Sequence, residues 1–129
     1  MERRRGAILI ADVAGFSRLI SNDENGTLAI LKDCVETIVR PAIAARRGRL
    51  IKEMGDAVLA EFASVVDAVD CAEDIQRAMA QKVPPDGPDS AFQFRIGVHL
   101  GDIVVEGDDI LGDGVNVAAR IEKFAEPGG

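Results

Sequence analysis

The sequence has no tryptophan and no tyrosine, and only five phenylalanines. Aromatic platforms for stacking nucleic-acid bases are therefore scarce. Positive charge is also in deficit. Fifteen lysines and arginines face 22 aspartates and glutamates, for a net charge of −7. An acidic chain is a poor nonspecific ligand for nucleic acid, so no nucleic-acid partner is expected. There is a single histidine, His99, and it forms no recognised triad pattern with either cysteine. It reads as a hairpin residue rather than a catalyst. No Walker P-loop pattern occurs. No apolar run approaches the length of a membrane span, so no membrane contact is expected within this chain. The basic start, Met1-Glu2-Arg3-Arg4-Arg5-Gly6, reads as a solvated tail. The short apolar run after it meets Asp12 at once, which fits a strand and not a signal peptide. The expected compartment is cytoplasmic. The two cysteines, Cys34 and Cys71, fall in helical patterns among apolar residues and show no metal-ligand spacing. They read as reduced core residues.

What is present suits one folded domain. The chain has 129 residues, of which 47% are hydrophobic and 29% charged, enough to bury a core and too apolar for disorder. Residues 7–11 form a continuous apolar run that predicts a central strand buried on both faces, with Asp12 at its carboxyl end. A glycine turn follows. Backbone N–H groups at Gly15 and Phe16 are candidates to face a substrate anion. Residues 23–46 carry a helical pattern with Leu28, Leu31, Val35, Ile38 and Ile43 as its buried stripe. Pro41 should kink or divide it. Arg46, Arg47 and Gly48 supply a cationic last turn and a glycine stop.

Residues 49–62 read as a hairpin turning at Met54-Gly55, with Lys52 before the turn and Asp56 after it. Residues 64–82 form the next helix. Ser64 is its N-cap, and Val65, Ala68, Val69, Ala72, Ile75 and Met79 are its apolar face. Residues 83–90 are a turn-rich loop. Residues 92–99 and 102–105 read as two strands joined at Leu100-Gly101, and residues 106–114 as an acidic loop. A third helix covers residues 115–125, with Val117, Ala118, Ile121 and Phe124 inward. The order β-α-β-β-α-β-β-α predicts an α+β fold with helices on one side of a mostly antiparallel sheet.

Chemistry gathers at a few positions. Asp12 and Asp56 are two hard oxygen donors able to converge on a divalent cation. Asn116 and Arg120 are spaced i, i+4 on one helix face, a polar pair suited to a sugar and a phosphoryl group. Asp109 lies in the acidic loop; Asp108 beside it reads as a solvated charge.

Four segments in order resemble the catalytic domain of class III nucleotidyl cyclases. They are Ile10-Ala11-Asp12-Val13-Ala14-Gly15-Phe16-Ser17, Lys52-Glu53-Met54-Gly55-Asp56-Ala57-Val58, Arg95-Ile96-Gly97-Val98-His99-Leu100-Gly101, and the stretch from Asp109 through Asn116 to Arg120. The resemblance runs from about Ala7 to the last residue and is similar to the bacterial branch whose cyclase domain begins near the amino terminus. It implies a ferredoxin-like cyclase fold. It implies that Asp12 and Asp56, helped by the Val13 carbonyl, hold two Mg²⁺ or Mn²⁺ ions. Lys52 and Asp109 would read adenine; guanylyl cyclases usually carry glutamate at the lysine position. Asn116 would orient the ribose, and Arg120 would neutralise the α-phosphate. The implied reaction turns ATP into 3′,5′-cyclic AMP and pyrophosphate, in sites shared across a twofold homodimer. The family continues with further strands, so residues 1–129 are expected to be one partial domain lacking the C-terminal strands. An inactive cyclase-like module that dimerises or binds nucleotide, or a guanylyl cyclase, are the alternatives.

Overall fold

The computed structural model describes residues 2–82 and 92–129. The expected loop at residues 83–90 lies outside the described residues. The elements, in chain order, are β1 (Glu2–Val13), α1 (Phe16–Asn22), α2 (Glu24–Cys34), a π-helical turn (Val35–Val39), α3 (Arg40–Ala45), β2 (Arg49–Met54), β3 (Ala57–Phe62), α4 (Val65–Lys82), β4 (Phe94–Glu106), β5 (Asp109–Leu111) and α5 (Asp113–Phe124).

The apolar run in β1 sits where its composition places it. Ala7, Ile8, Leu9 and Ala11 are fully buried, and β1 is the middle strand of a five-stranded sheet ordered β2-β3-β1-β4-β5. Every neighbouring pair is antiparallel. β4 pairs with β1 along its whole length, from Val13 opposite Phe94 to Glu2 opposite Val105. The alternation of a strand sends successive side chains to opposite faces. Ala7, Leu9, Ala11 and Val13 therefore pack with Leu31, Val35, Ile38, Ile75 and Met79 of the helices. Ile8 and Ile10 join Leu59, Ile103, Ile110 and Ala118 on the opposite face. The α+β, antiparallel architecture is the one expected, but the helices are not all on one side: α2 to α4 share one face, while α5 covers part of the other.

Both cysteines are buried and unpaired. Burial pushes the Cys34 thiol up to about 11 and the Cys71 thiol up to about 12, which makes both poor nucleophiles. Ser64 caps α4 as expected, its Oγ accepting from the Val66 and Asp67 N–H groups.

Other expectations are corrected. There is no turn at Leu100-Gly101: residues 94–106 are one long strand, because β1 offers it twelve consecutive partners. The second hairpin instead turns at Gly107-Asp108 and returns as β5, inside the stretch expected to be a loop. The first hairpin pairs Met54 with Ala57, so Gly55 and Asp56 form its turn, and Gly55 supplies the positive φ of 64°. Arg3, Arg4 and Arg5 are not a loose tail but the start of β1, paired with Val104, Ile103 and Asp102.

The single helix over residues 23–46 is divided. Pro41 brings no N–H to the ladder, and the chain widens into the π-helical turn just before it. At the end of α3 the left-handed residue is Arg47 (φ 60°), not Gly48. Gly48 is needed for a different reason, since a Cβ there would collide with the Phe62 ring. Leu28 and Val69 are substantially exposed, and Cys71 takes the inward position on α4. On α5 the inward row is Gly114, Ala118 and Glu122, leaving Ile121 exposed and Phe124 88% exposed.

Candidate active site

Two small residues bring α5 onto the sheet. A Cβ on Gly97 would lie 2.5 Å from the Glu122 nitrogen and 2.6 Å from the Ala118 carbonyl oxygen. A Cβ on Gly114 would lie 2.7 Å from the Asp102 carbonyl oxygen. Only backbone-on-backbone contact fits there. That close approach delivers the last turn of α5 to the carboxyl end of β1, where Asp12 stands.

Asp12 is 5% exposed. Lys123 Nζ donates to its Oδ2 at 3.1 Å. Arg95, directly opposite Asp12 in the β1–β4 register, has its Nε 3.5 Å from Oδ1. Glu122, 1% exposed, lies 3.3 Å from Arg95 and 3.6 Å from Lys123. Two buried carboxylates thus share two cations, of which Lys123 stands largely in water. Three atoms of this cluster have no hydrogen-bond partner: Asp12 Oδ1, Arg95 Nε and Glu122 Oε1. Burial, followed by the neighbouring Asp12 carboxylate, pushes the Glu122 carboxyl up to about 7. The Asp12 hydrogen bond raises Lys123 above the ordinary lysine value.

Asp56 joins this end of the sheet through the backbone. Its Oδ2 accepts from the Val13 N–H at 3.0 Å, so the two aspartates stand one residue apart across that bond. The carboxylate oxygens are the donor type that Mg²⁺ and Mn²⁺ prefer, and Asp12 Oδ1 is an unpartnered buried acceptor. The pair therefore fits a divalent cation. Among the described residues no group of three or more His, Cys, Asp or Glu is arranged to hold a metal, so water or a substrate must complete any shell.

Lys52 and Asp109 also meet. Lys52 Nζ lies 3.0 Å from each Asp109 carboxylate oxygen. These residues belong to β2 and β5, the two edges of the sheet. The sheet is therefore curled until its edges approach. The Lys52 hydrogen bond holds the Asp109 carboxyl below the ordinary aspartate value. Gly15 takes φ 64° at the head of α1 with open space beside it, and Phe16 packs against the core.

Asn116 and Arg120 are not brought to these groups. Both lie on the exposed side of α5, and neither side chain makes a hydrogen bond or ion pair among the described residues. The residues that sequence reasoning missed are Arg95, Glu122 and Lys123. A signal existed for Glu122 alone: the row of small residues at positions 114 and 118 marks the true inward face and carries it on to position 122.

The fold and this arrangement define the class. The chain belongs to the adenylate and guanylate cyclase catalytic domain family, whose family model matches residues 3–129. Among individual proteins, it is 48% identical over 129 residues to a Rhizobium meliloti protein named "Putative adenylate cyclase 3", covering 100% of this chain and 22% of that one. It is 32% identical over 125 residues to an adenylate cyclase of Streptomyces coelicolor, covering 97% of this chain and 31% of that one. The chain thus spans under a third of the length of either curated relative. A solved adenylate/guanylate cyclase/hydrolase from Silicibacter pomeroyi superposes with a TM-score of 0.89 at 47% identity, over 98% of this chain and 74% of that one. No helix among the described residues is long and apolar enough to cross a membrane.

Proposed function

We propose that this domain is an adenylyl cyclase that converts ATP into 3′,5′-cyclic AMP and pyrophosphate in the cytoplasm, as a homodimer with shared sites. The observation that carries the reading is the Asp56–Val13 hydrogen bond, which brings the Asp56 carboxylate to the residue next to Asp12, whose own Oδ1 is buried and unpartnered. Asp12 and Asp56, with the Val13 carbonyl, would hold two Mg²⁺ or Mn²⁺ ions. When bound, such ions acidify the ribose 3′-hydroxyl and neutralise the triphosphate.

The chain's own residues do the rest. Lys52 and Asp109 present one donor and one acceptor side by side. That pair matches the ring-nitrogen acceptor and exocyclic amine donor of adenine. Gly15 and Phe16 offer backbone N–H groups to the phosphates. Asn116 orients the ribose, and Arg120 balances charge on the α-phosphate. The ribose 3′-hydroxyl loses its proton to solvent, its oxygen forms a bond to the α-phosphorus, and the α–β phosphoanhydride bond breaks as pyrophosphate leaves with the bonding pair. Most of the rate comes from positioning and fixed charge. Asn116 and Arg120 are exposed on α5, and their side chains bond nothing among the described residues. Side chains so free support a site completed by a second copy.

The test is turnover of ATP and of GTP with saturating Mn²⁺. Cyclic AMP is expected, and Asp12→Asn should cut it by about 10²-fold or more. A preference for GTP would overturn the base assignment. No turnover of either nucleotide by a folded dimer would make the domain a binding module instead.

A further inference from the structure

We propose that Lys123 is the resident counter-ion of Asp12, bonded to the carboxylate that a divalent cation takes, so that cation binding drives its ammonium out to solvent. The proposal rests on the reading of Asp12 and Asp56 as cation ligands.

A carboxylate as buried as Asp12 needs a compensating charge whenever no cation is there. Two groups are in reach. Arg95 is held in β4, its side chain is 25% exposed, and its Nε lies between Asp12 and Glu122 without aligning on either. Lys123 makes the direct bond to Oδ2 at 3.1 Å. Its side chain is 64% exposed and hangs on a flexible four-carbon stem at the last turn of α5. Only Lys123 is free to swing into water at small cost. An ammonium and a divalent cation on one carboxylate also repel strongly in so dry a setting. Glu122 Oε2, 3.6 Å from Nζ, keeps the lysine near while it waits.

The contact has a second consequence. It ties the end of α5 to the end of β1, and α5 carries Asn116 and Arg120. Cation binding at Asp12 would untie that end of the helix.

Two measurements test this. In the first, lysine acylation by an amine-reactive reagent is followed residue by residue by mass spectrometry, with and without Mn²⁺. Exposed Lys32 serves as the reference. Lys123 should react slowly without the cation and several-fold faster with it, while Lys32 stays constant. In the second, Mn²⁺ binding is measured by calorimetry for the wild type, Lys123→Gln and Asp12→Asn. Lys123→Gln should bind about two- to fivefold tighter, the range expected for losing a partly exposed ion pair. It should also melt lower without the cation. Should that variant fail to fold, the acylation result on the wild-type protein decides alone. Unchanged Lys123 reactivity with Mn²⁺ bound would overturn the proposal. Absence of Mn²⁺ binding, or binding indifferent to Asp12→Asn, would instead overturn the ligand assignment beneath it, and the proposal with it.

Discussion

Glu61 is the other nearly buried carboxylate of the sheet, and its partners make a clean acid–base test. Arg4 reaches it with three hydrogen bonds between 2.8 and 3.1 Å, and Arg49 adds one at 3.0 Å. Burial opposes the charge on Glu61, but the hydrogen bonds from the two arginines outweigh it and hold the carboxyl below its ordinary value of 4.5. A carboxyl with a lowered folded value stabilises the fold above its unfolded value, and that contribution is lost as pH falls through the folded one. Glu61→Gln should therefore cost about 1–2 kcal/mol at pH 7, a range kept low because both arginines stand about half in water. The gap between wild type and variant should close as pH drops below 4.5. Urea melts from pH 7 to pH 3 measure it, and a gap constant across that range would contradict the assignment. At this scale the candidate residues are legible in the sequence where local pattern suffices. Asp12 ends an apolar strand, and Asp56 follows a turn glycine. Their joining is not legible, since it runs through the Val13 backbone N–H. Nor is Lys123, whose partner lies 111 positions away.

Among the elements, α5 shows most clearly where pattern reading stops. Its large apolar side chains, Ile121 and Phe124, point away from the sheet, and the small ones point in. Hydrophobic size predicts the buried face only when the partner surface is open enough to receive it. Here Gly97 flattens the sheet and Gly114 the facing side of α5, so the approach is close and small residues win. Gly97→Ala should be costly for the same reason. The added methyl meets backbone atoms of α5 that have no side-chain freedom to yield. A loss of about 1–3 kcal/mol is expected by chemical denaturation. Mn²⁺ binding should weaken with it, because Asp12 loses the register of the helix end. A neutral Gly97→Ala would mean that α5 does not lie this close. The hairpin expected at Leu100-Gly101 failed on a related point. Glycine permits a turn but does not compel one, and β1 holds that glycine in an extended pair with Gly6.

For the whole molecule, the decisive question is whether two copies build the site. Asp56→Ala and Arg120→Ala proteins should each be inactive alone. Mixed in equal amounts, they should recover up to about a quarter of full activity, because half the dimers are mixed and one of their two sites is intact. Recovery well above background, scaling with the mixing ratio, checks it; two folded, dimeric variants with no recovery would exclude a shared site. The α+β class and the antiparallel sheet are legible in the chain because alternation and turn residues are local signals. The curl that joins Lys52 to Asp109 is not, since it sums small twists over five strands.

The pairing of β1 with β4 along its full length also sets an order of events in time. The partners are separated by 81 residues at Val13–Phe94 and by 103 at Glu2–Val105, from the register differences 94 − 13 and 105 − 2. Closing such loops is slow compared with forming α2 or α4, and a topology dominated by them folds late and all together. During synthesis, β1 emerges first and its main partner among the last. Until residue 94 leaves the ribosome, Ile8, Leu9 and Ile10 can have β3 on one side and nothing on the other. The most apolar segment of the chain is thus the one that waits longest for cover, which makes nascent-chain protection part of what this fold demands of its host.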